Sequence, residues 1–167
     1  MTETRFLLWR HAKAQSDAAS DAERALSERG VLDAAEQARR LVAAGWTPDA
    51  VAVSNAQRTR QTWSAGCAAA PELAPARVKV RPDLYLAAPE TFGLAVLDAL
   101  ETASCVWVIG HNPGLAQLAE GLARHSGSDP AARAELWGGF PTCCAAGFAL
   151  SGSTLADARL IRVFPRP

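Results

Sequence analysis

Short apolar runs alternate with longer amphipathic stretches over residues 5–123, and this alternation constrains the fold more than any other feature. The runs at 6–9, 51–53 and 105–109 are continuously apolar, which is typical of strands buried on both faces. The stretches between them are long enough to form helices. Strands that alternate with helices build a parallel sheet with helices packed on it. The sequence therefore predicts an α/β fold, with a mostly parallel central sheet and helices on both faces.

Capping residues place several helix boundaries. Ser27 is a suitable N-cap for a helix that Gly45 would end. Either Ser54 or Asn55 could cap a helix over about 57–70. A later helix should start after 105–109, with Asn112 as its N-cap and Pro113 as its first residue.

The remaining strands are shorter or lie late in the chain. Residues 77–80 alternate in polarity as an edge strand would. Segments 143–150 and 159–164 predict two late strands, which could form a hairpin around 151–153. Residues 15–24 form a polar loop that is long enough to fold over a site, and 127–130 is a second loop.

The length and composition favour one ordinary globular domain over 1–167. The chain has 17 basic and 17 acidic side chains, and this neutral balance disfavours nucleic acid or a membrane surface as a partner held by bulk charge. Its four cysteines have no C-x-x-C spacing, so they predict neither a zinc site nor a disulfide framework. No signal peptide or membrane-length apolar run is present. We therefore expect a cytoplasmic monomer.

Polar residues follow three of the predicted strands at the points where they end. Arg10 and His11 follow the first strand, 54–58 follows the second, and His111 with Asn112 follows the strand at 105–109. The carboxyl ends of strands in an open α/β sheet lie along one edge, where ligands bind. The sequence therefore predicts that these residues meet.

Two histidines and two arginines at one edge favour a phosphoryl group as the ligand. Arg10 and Arg58 would offer planar, permanently charged donors to phosphate oxygens. A neutral imidazole can attack phosphorus, and a helix beginning near Pro113 would add backbone N–H donors. A metal site would need carboxylates or thiolates beside the imidazoles, and no obvious carboxylate accompanies this set. We accordingly expect neither a metal nor another cofactor.

These segments resemble the histidine phosphatase superfamily, and more specifically its SixA-like phosphohistidine phosphatase branch. The resemblance extends nearly from end to end of the chain. It rests on three motifs in order, each at a predicted strand end: Arg10-His11-Ala12, Ser54-Asn55-Ala56-Gln57-Arg58-Thr59, and Gly110-His111-Asn112-Pro113-Gly114.

The resemblance implies roles for five residues. His11 would be the nucleophile, Arg10 and Arg58 would bind the phosphoryl group, His111 would be the second histidine, and Asn112 would contribute mainly its backbone. Larger members of the superfamily carry a carboxylate general acid at a position that corresponds here to Leu86. Two nearby carboxylates, Asp83 and Glu90, are weak substitutes.

The missing acid bears on the substrate. An alkoxide leaving group needs a proton from the enzyme, whereas the imidazole of a phosphohistidine leaves easily once it is protonated. The short connections around the expected site leave little material to cover it. We therefore expect a metal-independent phosphatase that acts on a phosphorylated protein. The alternatives are a small-molecule phosphomonoesterase of the same superfamily and, from another class, an inactive phosphate-binding or interaction domain.

Several other polar residues are ambiguous in the sequence. His125 is interpreted as a helix-end residue and Arg60 as a surface residue, since positions i and i+2 do not share a helix face. Arg24 could either close over the site or be solvated. Thr142 could reach the phosphate, but the start of a strand is the favoured interpretation.

Overall fold

A six-stranded sheet forms the centre of the molecule, as seen in a computed structural model that describes residues 3–167. Its strand order is β3-β2-β4-β1-β5-β6. The first four strands in the chain are parallel, whereas β5 is antiparallel to both β1 and β6. The strands are β1 Thr4–Arg10, β2 Ala50–Ser54, β3 Arg77–Arg81, β4 Cys105–Gly110, β5 Ala145–Leu150 and β6 Ala158–Phe164.

Five α-helices pack against this sheet and complete the predicted architecture. The pair α1 and α2 pack on each other, as do α3 and α4. The helices are α1 Glu28–Ala43, α2 Gln57–Ala69, α3 Pro89–Leu100, α4 Gly114–Leu122 and α5 Pro130–Trp137. No helix of residues 3–167 is long and apolar enough to cross a membrane.

Strand β1 shows why its apolar run is unbroken. Successive side chains of a strand point to opposite faces of the sheet. Phe6 and Leu8 pack in the core that contains α3 and α4, whereas Leu7 and Trp9 pack in the core on the side of α1. All four side chains are fully buried. Each contributes roughly 1.5–3 kcal/mol of burial free energy, so β1 is firmly held up to the point where the polar residues begin.

The predicted boundaries of the first helix are confirmed, whereas the predicted caps of two others are wrong. The Ser27 side chain accepts the Gly30 N–H, and Gly45 has the positive φ typical of a residue that follows a helix. Pro113, not Asn112, precedes α4, and Asn112 Nδ2 instead donates to the Phe140 carbonyl oxygen at 2.8 Å. The Asn112 side chain therefore makes a hydrogen bond to a distant segment instead of capping α4, as the local sequence pattern predicted.

The other wrong cap concerns α2. Ala56 occupies the N-cap position there, and its methyl side chain cannot cap the helix. Ser54 Oγ accepts the Ala56 N–H at 3.3 Å, while Asn55 is exposed. The cap candidate Ser54 is therefore placed inside the fold, at the end of β2.

The late part of the chain contains one element that the sequence analysis omitted. The two late strands pair as the predicted hairpin. Helix α5 was not predicted, although its start carries clear signals. Asp129 is its N-cap and accepts the Ala132 N–H, and Pro130 is its first residue.

Candidate active site

An open pocket of about 400 Å³ lies at the carboxyl ends of the parallel strands. Strand β1 positions Arg10 and His11, helix α2 supplies Arg58, and the end of β4 positions His111. All the residues named as site candidates in the sequence line this one pocket: Arg10, His11, Arg58, His111 and Asn112. The prediction that the strand ends meet is therefore confirmed geometrically.

His11 is held in one tautomer by the backbone. Its Nδ1 lies 2.7 Å from the Ala12 carbonyl oxygen, which can only accept, so Nδ1 carries the proton. The lone pair of Nε2 is then available. Burial, reinforced by the positive charges of Arg58 and Arg10, lowers the pKa of His11 to about 4. The imidazole is therefore neutral and nucleophilic at neutral pH.

His111 lies beside His11, with their ring centroids 5.3 Å apart. Its Nε2 is 2.8 Å from Ser54 Oγ, and its buried Nδ1 has no hydrogen-bond partner within residues 3–167. Burial and the neighbouring His11 lower the pKa of His111 to about 3. Among residues 3–167, Nε2 is the one acceptor within reach of the Ser54 hydroxyl proton, so Ser54 can donate to it. That arrangement leaves Nδ1–H as a donor for a ligand.

The two arginines are anchored by backbone carbonyls. Arg10 Nη1 donates to the Phe140 carbonyl oxygen at 3.0 Å, and Arg58 Nη1 donates to that of Asp21 at 2.7 Å. Arg58 is only 3% exposed. The Nε of each is buried and, among the described residues, lacks an acceptor. Buried donors without partners are costly, so these groups are suited to a bound anion.

A carboxylate that the sequence analysis missed also lines the pocket. Asp21 Oδ2 accepts hydrogen bonds from the Tyr85 hydroxyl and, at 3.1 Å, from Arg58 Nη2. Asp21 Oδ1 accepts from Arg24 Nη1 at 3.2 Å. The Tyr85 hydrogen bond, followed by those from the arginines, lowers the pKa of Asp21 to about 2. The expectation of a site without a carboxylate is therefore wrong.

The structure also settles where Arg24 and Thr142 lie. Both line the pocket. Strand β5 begins at Ala145, so the interpretation of Thr142 as the start of a strand is wrong. The loop at 15–24 reaches the site, as its length suggested.

The weak candidates for a general acid lie outside the pocket. Asp83 forms an ion pair with Arg81 at 2.7 Å, and neither Asp83 nor Glu90 lines the cavity. Leu86, at the position of the expected acid, does line it and is 54% exposed.

Two further side chains match the sequence interpretation. Arg60 is exposed on α2. His125 Nδ1 accepts the Gly127 N–H at 3.0 Å, beyond the end of α4, and does not line the pocket.

Comparison with known proteins reveals clear relatives, although no family model matches the chain. An uncharacterized protein of Mycobacterium tuberculosis is 36% identical over 140 residues, which cover 80% of this chain and 81% of that protein. An uncharacterized chloroplastic protein of Arabidopsis thaliana is 32% identical over 157 residues, covering 89% and 72%.

Solved structures give the family. A structure assigned as the phosphohistidine phosphatase SixA of Nakamurella multipartitia matches with a TM-score of 0.86 and 30% identity, covering 99% of this chain and 98% of that one. The corresponding Agrobacterium tumefaciens structure has a TM-score of 0.81 and 29% identity, covering 97% of each chain. The protein histidine phosphatase SixA in complex with tungstate shares the fold, with a TM-score of 0.78, 23% identity and 96% coverage of each chain.

The fold and these relatives define a phosphatase of the histidine phosphatase type. The chain belongs to the histidine phosphatase superfamily, within its SixA-like branch.

Proposed function

We propose that this protein removes the phosphoryl group from phosphohistidine on another protein, through a covalent phosphohistidine formed on His11. The observation that carries the proposal is the set of buried donors without partners that line one pocket. Arg10 Nε, Arg58 Nε and the Nδ1 of His111 all lack acceptors within residues 3–167. A phosphoryl group offers three oxygens, which would satisfy donors of this kind.

The first chemical step is an in-line displacement. His11 Nε2 donates its lone pair to phosphorus, and the bond from phosphorus to the leaving group breaks with its electron pair. Arg10 and Arg58 offset the negative charge of the equatorial oxygens, and His111 donates its Nδ1–H to one of them. The backbone of Asn112, next to the start of α4, supplies a further N–H contact.

The second step returns His11 to its starting state. A water oxygen attacks the phosphorus bound to Nε2, the P–N bond breaks, and its electron pair returns to the nitrogen as inorganic phosphate departs with the protons of the water. Because the Ala12 carbonyl keeps the proton on Nδ1, Nε2 is unprotonated and ready for the next cycle. The backbone thus fixes the nucleophilic atom throughout.

Two properties of the pocket support a phosphorylated protein as the substrate. The connections around the site are short, and the pocket is open enough to admit a side chain on another protein. Leu86 lines the pocket at the position where the family resemblance implies a general acid, which would assist the departure of an alkoxide from an alkyl phosphate ester. A phosphohistidine avoids that requirement, because its leaving imidazole can be protonated before the bond breaks.

Metal independence is part of the same proposal. Two permanently cationic guanidinium groups line the pocket and would repel a divalent cation, whereas they attract a phosphoryl dianion. We therefore assign charge neutralisation in the transition state to the arginines.

The test is trapping of the covalent intermediate. The wild-type protein and the variants His11→Ala and His125→Ala are mixed with a ³²P-phosphohistidine protein, quenched in base and analysed for acid-labile label. We expect label on wild-type protein and on His125→Ala, whose histidine lies outside the pocket, and none on His11→Ala.

Turnover of several substrates by the wild-type protein then identifies the substrate class. Faster release of phosphate from phosphohistidine than from glycerate phosphates supports the proposal. Equal or slower release would identify a small-molecule phosphomonoesterase. Absence of both label and turnover would identify a phosphate-binding domain without activity.

A further inference from the structure

The Asp21 carboxylate lies at the mouth of the pocket, above a deeply buried nucleophile. His11 is 8% exposed, whereas the Asp21 side chain is 46% exposed. Arg58 connects Asp21 to the phosphoryl site. Its guanidinium lines the pocket and donates to both the backbone and the side chain of Asp21. The loop that carries Asp21 thus lies on the solvent side of the phosphoryl site.

This placement determines which part of a substrate Asp21 meets. In-line displacement puts the leaving group on the side of phosphorus opposite the attacking atom. His11 attacks from the closed end of the pocket, so the leaving group departs towards the open end. The exposed Asp21 side chain lies on that outer side, and the Tyr85 hydroxyl donates to its carboxylate.

The carboxylate has capacity for one more donor. Two ionised oxygens offer about four acceptor positions. Three are used by the Tyr85 hydroxyl, by Arg58 Nη2 at 3.1 Å and by Arg24 Nη1 at 3.2 Å. The pKa of about 2 keeps the group ionised at neutral pH, so it can accept a hydrogen bond but cannot act as an acid.

From this geometry we propose that Asp21 determines leaving-group specificity: its carboxylate accepts a hydrogen bond from the ring N–H of the substrate phosphohistidine. The inference rests on the proposed function, and it explains how the substrate can react without a general acid from the enzyme. Asp21 favours the imidazolium form of the substrate before the reaction begins.

The proton and electron balance of the step is complete without an acid. In the bound imidazolium, one ring nitrogen carries the phosphoryl group and the other carries the proton that Asp21 holds. His11 Nε2 forms its bond to phosphorus while the P–N bond of the substrate breaks. The electron pair returns to the substrate ring, which leaves as neutral imidazole and retains its proton.

The same carboxylate disfavours other leaving groups. A phenolate or an alkoxide acquires negative charge as it departs, and that charge would develop near the Asp21 anion. A glycerate phosphate also brings a second anionic group to the mouth. Asp21 therefore improves turnover of phosphoramidates and impairs turnover of esters, which a role limited to holding Arg58 would not do.

The experiment compares two substrates in three proteins. Asp21→Asn removes the charge while keeping nearly the same shape, and Asp17→Asn is the matched control, because Asp17 is an exposed aspartate in the same loop. The kcat/KM values are measured for a phosphohistidine peptide and for p-nitrophenyl phosphate, after thermal melting has verified that each variant folds.

We expect Asp21→Asn to lower the ratio of the phosphohistidine to the p-nitrophenyl phosphate kcat/KM by about 10- to 100-fold, the range for loss of a charged hydrogen bond. Asp17→Asn should leave the ratio unchanged. An equal loss on both substrates would overturn the inference and reduce Asp21 to a residue that positions Arg58.

The outcome separates this inference from the proposed function. If the wild-type protein prefers phosphohistidine and Asp21→Asn retains that preference, only the inference fails. If the wild-type protein itself shows no preference, the proposed function fails first. A misfolded Asp21→Asn would be replaced by Asp21→Ser, for which the same change in ratio is expected.

Discussion

Ser54 Oγ lies 2.8 Å from His111 Nε2 and also accepts the Ala56 N–H at 3.3 Å. The serine is fully buried at the end of β2, whereas the histidine follows β4. Neighbouring parallel strands thus bring the two side chains together. Among residues 3–167, the hydroxyl proton of Ser54 has no acceptor other than Nε2, which favours donation from Ser54 to His111. That donation would place the His111 proton on Nδ1, from which it can be donated to a ligand.

Ser54→Ala should therefore change the protonation of His111. We expect kcat to fall by up to about 10-fold, because that factor corresponds to the free energy that a neutral hydrogen bond contributes. The Nδ1–H form should dominate in wild-type protein and lose population in the variant, as measured by the ring ¹⁵N shifts. Thr59→Val is the control, because Thr59 is a buried neighbour whose hydroxyl contacts only the backbone. A wild-type His111 protonated at Nε2 would contradict the assignment.

Arg58 and Arg60 lie on the same helix but should differ sharply in importance. Arg58→Ala removes a charged donor from the phosphoryl site, for which losses of about 10²- to 10³-fold in kcat/KM are typical. Arg58→Lys should recover little, since an ammonium group lacks the planar fork of the guanidinium. Arg60 is exposed, so Arg60→Ala should behave as wild-type protein. Comparable losses in both variants would indicate a role for α2 as a whole.

The sequence was sufficient to predict that His11, His111 and Arg58 share a pocket. Each follows a strand whose apolar run is easy to recognise, and the topology of a parallel sheet brings such strand ends to one edge. The prediction required no knowledge of side-chain contacts. It required only that the strands be parallel, which their alternation with helices already indicated.

Asp21 could not be found in this way. It lies in an irregular loop, and its partners Arg58 and Tyr85 are 37 and 64 residues away in the chain. No periodic pattern encodes such contacts, although the loop length did suggest that something covers the site. The prediction that Asn112 caps α4 was wrong for a related reason. Its side chain donates to the Phe140 carbonyl oxygen, 28 residues away, instead of capping the helix that follows it.

The two pocket histidines should remain neutral far below the ordinary imidazole range. Burial lowers the pKa of His11 to about 4 and of His111 to about 3. NMR titration of the imidazole protons should find neither group protonated at pH 5.5. A midpoint near the unperturbed value of about 6.5 for either ring would contradict the burial argument.

These shifts also predict a loss of stability in acid. Between pH 6.5 and 4 the unfolded chain protonates His11 while the folded chain does not, so the unfolded state binds more protons. The free energy of unfolding should then fall as the pH falls, by about 1.4 kcal/mol per pH unit for that residue. Urea unfolding at pH 7 and pH 5 measures the change, and His11→Gln should show a smaller one. Asp21, with a pKa of about 2, titrates below this window.

Chelation should leave the activity unchanged. Among residues 3–167, no group of three His, Cys, Asp or Glu side chains is arranged to hold a metal ion. The expectation itself follows from the two guanidinium groups that line the pocket. Dialysis against EDTA, followed by assay with and without added Mg²⁺ or Zn²⁺, measures the dependence. Loss of turnover that a metal restores would refute the arginine-based mechanism.

The two glycines of α4 provide a test of how the helix start supports the site. A Cβ on Gly114 would lie 2.0 Å from the Ala87 carbonyl oxygen, so α4 could not keep its distance from the segment that carries Leu86. Gly114→Ala should therefore shift the start of α4, displace His111 and lower both the melting temperature and kcat/KM. Among residues 3–167, a Cβ on Gly121 would meet no atom within 4 Å apart from its chain neighbours and the backbone of its own helix. Gly121→Ala should instead stabilise the protein by roughly 0.5–1 kcal/mol through helix propensity. The melting temperature and kcat/KM of both variants are measured together. If Gly114→Ala and Gly121→Ala change these two quantities similarly, the contact with Ala87 does not hold the site in place.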